Sequence, residues 1–230
     1  TVEGQPGFGL ASLAADVEGL ADRLGAALAP VVATTQELAL LDVQIKAIQS
    51  KALSLVRDPV AVLDAFESVL LALADTAIGN PRDMLLALLV AYDSPPPPTA
   101  VGDTPVRAQE RENQAALGGA VRQLLVVASA GLLTTVVYTT IEDALADRGA
   151  VVERIDAQLA VTGDTAFAAL VQLRAAVLRA VPGDAELARV VTVTRPVAVT
   201  SLVLSYQLYG AVDAEADVIA RNPGQQHPGF

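Results

Sequence analysis

The residues of this chain that could carry acid–base, metal or phosphate chemistry are few and scattered. A single histidine, His227, stands between Gln226 and Pro228, with no second histidine and no cysteine anywhere in the 230 residues. An ordinary zinc site needs several His, Cys or carboxylate ligands gathered at tetrahedral spacing, so His227 reads as a turn residue, and no metal and no cofactor is expected. Neighbouring carboxylates occur at Glu142-Asp143 and at Asp213 and Glu215. Each group falls where a helix should begin, and negative charge there complements the partial positive charge of the helix N-terminus. They read as helix starts rather than as a catalytic dyad. GxxxxGK[ST], GxGxxG, GxSxG and HExxH patterns are absent from the sequence, which points away from an enzyme.

Positive charge collects locally in LVQLRAAVLRAVPGDAELARVVTVTR, where Arg174, Arg179, Arg189 and Arg195 outnumber Asp184 and Glu186. These four are the candidate DNA contacts. The whole chain nevertheless carries 26 acidic against 15 basic side chains, a net charge of -11, and duplex binding depends on cations that displace counterions from phosphates. No aromatic residue interleaves the arginines to offer a stacking platform. They read as a solvated face, and nucleic acid is not the expected partner of this segment.

Positioning elements follow from composition and periodicity. Apolar residues make up 53% of the chain but aromatics only 3%, so the bulk is Ala, Val and Leu, which suits close helix packing. The expected fold class is mainly α, with helical bundle segments. Leu10, Leu13, Val17, Leu20 and Leu24 alternate steps of three and four, as do Leu38, Leu41, Ile45, Ile48 and Leu55, and then Leu63, Phe66, Leu70 and Leu73. Such spacing lays an apolar seam along one side of each helix, within one chain or between chains. Thr34 with Glu37 predicts a capping box, Asp58-Pro59 an N-cap followed by proline, and Asn80-Pro81 a fourth helix through Tyr92. The prolines of YDSPPPPTAVGDTP forbid helix and predict a spacer. The expected organisation is therefore a helical region at 1–92, a linker at 93–104, a helical domain at 105–188 and a small module at 189–230.

After the linker, Thr104-Pro105 opens a long helical stretch containing LLVVASAGLLTTVVYTTI, eighteen uncharged residues from Leu124 to Ile141. That is the minimum length for a membrane span. Five of the eighteen are Ser or Thr and Gly131 lies among them, so the segment reads as a buried core helix and no membrane is expected. Thr139 with Glu142 predicts the next helix start, Asp164 the one after, and Pro182-Gly183 its stop. The texture then changes at RVVTVTRPVAV, a β-branched run that predicts a strand ending near Pro196. Two short helices should follow, SLVLSYQLYG stopped by Gly210 and DAEADVIARN capped by Asp213.

This β-α-α order, with its Tyr-Gly helix end, the ARN of VIARNPG and the turn at HPGF, resembles a LysM module lacking its closing strand. YTTIEDALADRGAVVERIDAQL, ALVQLRAAVLRAVPGDAELARVVTVT, SLVLSYQLYG and VIARNPGQQHPGF together resemble the C-terminal part of the DNA circularisation protein (N protein) family of Mu-like phages and prophages, over roughly residues 115–230. The resemblance implies a structural component of a contractile phage tail or related injection machine, located in the virion near the baseplate and hub. It implies tube, hub and tape-measure proteins as partners and a three- or sixfold homo-oligomer. The family name refers instead to holding injected DNA ends together, which is the alternative role. Family members carry a β-rich domain before this region and a closing strand after it, so the chain is expected to be a fragment. The strand run Val191, Thr192, Val193 and Thr194 then needs a backbone partner from elsewhere, and these four residues are the candidate assembly edge.

Overall fold

The computed structural model describes residues 7–32, 34–75, 80–94, 104–181, 187–190, 192–195 and 198–222. His227 lies outside them. The chain divides into two compact units, Thr1–Arg189 and Val190–Phe230.

The first unit is a helical assembly: α1 (Gly7–Leu28), a 3-10 turn (Ala29–Val31), α2 (Thr35–Leu55), α3 (Pro59–Asp75), α4 (Pro81–Asp93), α5 (Pro105–Leu133), α6 (Ile141–Leu159) and α7 (Asp164–Ala180). Helix starts are set by side chains that accept the otherwise orphaned first-turn N–H groups, each such cap stabilising by about 1 kcal/mol. Thr34 and Glu37 form a reciprocal capping box, with Glu37 N donating to Thr34 Oγ1 at 3.2 Å and Thr34 N to Glu37 Oε2 at 3.0 Å. Asp58 accepts from Val60 N, Asn80 from Arg82 N and Thr104 from Arg107 N.

α5 is the central helix, packed by α1, α3, α4, α6 and α7. Helices on both sides of the proline-rich stretch thus contribute to one core, in which Val17, Leu28, Phe66, Leu85, Leu133 and Ile155 are fully buried. On α1 the buried line is Ala14, Val17, Ala21, Leu24 and Leu28, with Leu13 and Leu20 at its margin. α2 buries Leu41, Ile45 and Ile48, while Leu38 is 43% exposed at an open groove that it lines with Ala26 and Ala29. Gly25 sets the contact of α1 with α2: a Cβ there would approach Ile45 Cγ1 to 3.2 Å.

The apolar run Leu124 to Ile141 is not one helix. α5 ends at Leu133, where Thr134 and Thr135 turn their hydroxyls back onto the carbonyls of Gly131 (2.7 Å) and Leu132 (2.8 Å). Local hydroxyl-to-backbone bonds of this kind, followed by β-branched residues, favour leaving the helix. α5 as a whole is long and apolar enough to cross a membrane by length and composition, yet its neighbours on several sides make it a core helix. The cap of α6 is Thr140, one residue later than expected, with its Oγ1 accepting from Asp143 N. Ile141 N donates to Ala188 O at 3.0 Å, and Thr140 and Ala188 form an isolated parallel bridge, which fixes the start of α6.

α4 is tied to α6 at both ends. Near its start Arg82 binds Asp147 (Nε to Oδ2, 2.7 Å) and Asp143 (Nη2 to Oδ1, 3.1 Å). Near its end Asp93 pairs with Arg154, and the Tyr92 hydroxyl donates to Arg154 O and accepts from Gln158 Nε2.

In the second unit, α8 (Ser201–Tyr209) is capped by Thr200 and stopped by Gly210 at φ 72°, a left-handed position that glycine fills without strain. α9 spans Glu215–Ala220. Its cap is Ala214, with no side-chain bond, so Asp213 does not cap it. Glu215 instead accepts a hydrogen bond from Ser201 Oγ at 2.6 Å and ties α9 to the start of α8. The expected strand is not formed: Val190, Thr192, Val193 and Thr194 are neither helix nor strand, and the described residues contain no strand at all. A β-branched run has only propensity to offer, and a strand exists through a ladder with a second strand. Val191 lies outside the described residues.

Candidate functional site

The second unit places its polarity inside out. Along α8 the buried positions are Ser201 and Ser205, whereas Leu202, Val203, Tyr206, Leu208 and Tyr209 are exposed. Leu202, Tyr206 and Tyr209 follow at steps of four and three and therefore share one helix face. Both tyrosines present more than half their surface to solvent, 62% for Tyr206 and 56% for Tyr209. The buried serines are satisfied locally, Ser205 Oγ donating to Ala211 O at 2.8 Å and Ser201 Oγ to Glu215. Hydroxyls thus hold the turn between α8 and α9 while the apolar side chains point outward. Of the candidate assembly edge, Thr192, Val193 and Thr194 are exposed. Contiguous exposed apolar surface with aromatic residues marks protein contacts more often than any other role.

The four candidate DNA arginines are divided between the two units. Arg174 is held by Asp156 in a two-bond pair, Nε to Oδ1 at 2.6 Å and Nη2 to Oδ2 at 3.2 Å, and that hydrogen bond and charge raise its already high pKa. Arg179 and Arg189 are exposed in the first unit, and Arg195 is exposed in the second. Among the described residues no group of three His, Cys, Asp or Glu side chains is arranged to hold a metal ion. Glu142-Asp143 begins α6, where Asp143 also answers Arg82.

Two features of the first unit give no sign in sequence periodicity. One is a cavity of about 370 Å³ lined by α1, α4 and α5 together with Gln158 and Val161. The other is a set of buried polar groups on the facing sides of α1 and α5, where Asp16 and Glu110 are both almost wholly buried. Arg107 Nη1 donates to Glu110 Oε2 at 2.6 Å, while Asp16 Oδ2 has no hydrogen-bond partner. Burial raises the Asp16 carboxyl above its ordinary pKa, a Gln114 hydrogen bond and the Arg23 charge oppose the rise, and the Glu110 charge adds to it. The folded state therefore holds the Asp16 proton more tightly than the unfolded chain. Stability falls as pH climbs from the ordinary aspartate range through the raised folded value. Asp16→Asn is expected to raise the melting temperature at neutral pH and to flatten this part of the stability curve. A pH series of thermal melts checks it, and an unchanged curve would assign the slope to another group.

No family model matches this chain, and neither a curated protein nor a solved structure does. Functional reasoning therefore starts from the residues themselves. The signal that could have pointed to the inverted surface was SLVLSYQLY, in which serines recur at a step of four between apolar residues; an apolar-periodicity search passes over such a pattern.

Proposed function

We propose that this chain is a structural, non-enzymatic component of a contractile phage tail or related injection machine, acting near the baseplate and hub as an assembly adaptor. The observation that carries the reading is the inverted polarity of α8, whose serines are buried and whose Leu202, Tyr206 and Tyr209 face outward. A helix that leaves its apolar stripe in water is stabilised when another protein covers it. The sequence resemblance to the phage N protein family supplies the setting, with tube, hub and tape-measure proteins as neighbours and three- or sixfold copies in the virion. Within that setting the run 190–194 serves as a LysM-like edge whose ladder is completed across a subunit boundary. The net charge of -11 and the engagement of Arg174 by Asp156 weigh against the alternative role at DNA ends.

Replacing Leu202, Tyr206 and Tyr209 together with Asp tests the reading. Wild-type chain is expected to sediment with assembled tail particles and to oligomerise, and the triple variant to remain free while the first unit melts normally. A wild-type chain that stays monomeric and cross-links to no tail protein in an assembled particle would refute the proposal. Duplex affinity that weakens steeply with salt and disappears when Arg174, Arg179, Arg189 and Arg195 are replaced would favour the DNA role instead.

A further inference from the structure

The cavity among α1, α4 and α5 carries an inference of its own, independent of the assembly reading. Its floor includes Gly118 and Gly119, adjacent glycines inside a 29-residue helix. Glycine in a helix interior is destabilising relative to alanine, so a reason is needed. The backbone supplies none, because neither residue has a positive φ. Packing supplies none either, since a Cβ at either position would meet nothing within 4 Å. The two glycines keep space open that no part of the described chain fills.

What surrounds that space is chemically one-sided. Arg23 and Arg122 line it, and no aspartate or glutamate does, in a chain with 26 acidic residues. The Arg122 guanidinium lies 5.8 Å from the centre of the Tyr92 ring and has no ion-pair partner among the described residues. Arg23 stands beside the Asp16 carboxyl, on which its charge acts, so Arg122 is the cation that lines the space without a counter-charge. Gln158, only 4% exposed, donates its Nε2 to the Tyr92 hydroxyl at 2.9 Å and so holds the ring that Arg122 covers. Leu20, Leu24, Val121 and Leu125 complete the wall with apolar surface. A matching occupant has a carboxylate for Arg122 and an aliphatic group for the leucines.

We propose that this cavity binds an aliphatic carboxylate of amino-acid size, the group present both in a free small acid such as N-acetyl-leucine and at the C-terminus of a protein ending in a residue such as leucine. The volume, about 370 Å³, lies in the range of small-ligand sites. Capture of a terminal carboxylate by fixed donors is a recurrent mode of peptide recognition.

The experiment is calorimetric titration of the full chain with N-acetyl-leucine, with N-acetyl-leucinamide and with an acetylated peptide of several residues ending in leucine. Saturable binding of N-acetyl-leucine is expected, with the uncharged amide weaker by about tenfold or more, the scale of one lost charge-assisted hydrogen bond. A longer peptide that binds more tightly identifies a partner's C-terminus as the source, and one that is excluded identifies a free small molecule. Arg122→Gln is expected to weaken binding by a similar factor. Gly119→Leu is expected to fill the cavity and abolish binding while the helical melt is kept or raised, because a side chain there meets no neighbour. Equal binding of acid and amide, binding that survives Gly119→Leu in a folded variant, or no binding of any probe would overturn the proposal.

Discussion

Arg82→Ala is expected to destabilise the first unit by about 3 kcal/mol, the lower end of what breaking a buried ion pair costs. The asymmetry of the pair sets this size. Asp147 is 4% exposed, while the Arg82 side chain keeps about a third of its surface in water. Removing the arginine therefore strands a desolvated carboxylate, whereas removing the carboxylate leaves a cation that can turn toward solvent. The Asp147 hydrogen bond is the main reason that the Arg82 pKa is raised, ahead of the charges of Asp147 and Asp143 and against its own burial. Nothing else among the described ion pairs reaches Asp147. The nearby Tyr138 hydroxyl is itself buried, and burial, the Asp147 charge and its hydrogen bonding toward Asp147 raise its pKa. A urea titration should show a lower midpoint for Arg82→Ala with an unchanged slope. Arg82→Met combined with Asp147→Leu should recover most of the loss, because a well-packed apolar pair can replace a buried ion pair. A midpoint that does not move in the single variant would mean that Asp147 is solvated in the absence of its partner.

How much of this arrangement could be read from sequence depends on whether the determining contacts were local. Thr34, Asp58, Asn80 and Thr104 each cap the helix that their spacing predicted, because a cap needs only residues two or three positions away. The seams of α1 to α3 were legible in part: Val17, Leu24, Leu41, Ile45, Ile48, Phe66 and Leu70 are buried as their spacing predicted, Ala14, Ala21, Val62 and Val69 share the buried faces without having been marked by it, Leu38 is exposed, and the side chains of Leu10 and Leu73 lie outside the described ones. In YTTIED both Thr139 and Thr140 have an acidic residue three positions later. The non-local bond from Ile141 N to Ala188 O selects the second register. No strand is present at the described residues 190 and 192–194, since strand formation depends on a partner and not on the side chains of the run alone. In the candidate sites the residue types were visible and the geometry was not. Gly118-Gly119 reads in sequence as a weak point of a helix, and only the packing of α1 and α4 around it shows an open space. Arg82 and Asp147 lie 65 positions apart, and no periodicity joins them.

The two units solve the problem of burying apolar surface in opposite ways. In the first unit each helix turns its apolar stripe toward α5 or a neighbour of α5. In the second, among the described residues only Ser201, Ser205 and Val218 are buried, while α8 leaves Leu202, Leu208, Tyr206 and Tyr209 outside. Substitutions should separate accordingly. Changes on the exposed face of α8 should alter association with little effect on the melting of the first unit, and changes in the core of the first unit should do the reverse.

The largest such core effect is expected at Phe66. Its side chain is 1% exposed and is the bulkiest fully buried one in the chain's described core. It projects from α3, which packs against α2 and α5. The core around it is chiefly Ala, Val, Leu and Ile, and helices fixed by several neighbours cannot collapse fully to fill the void that its loss would leave. Phe66→Ala should therefore cost about 3–5 kcal/mol, and Phe66→Leu about 1–2 kcal/mol because most of the volume is kept. The measurement also bears on cooperativity across the proline-rich stretch. α3 precedes that stretch and α5 follows it, so a single core predicts that helices on both sides lose stability together. Tyr92 and Tyr138 report from the two sides, on α4 and before α6, and with no tryptophan in the chain their fluorescence can be resolved by replacing one at a time in a background carrying Tyr206→Phe and Tyr209→Phe. One common transition, shifted to lower urea by Phe66→Ala at both reporters, is the expected result. Two separate transitions, with only the Tyr92 one shifted, would show that residues 7–94 and 104–189 unfold as independent bodies.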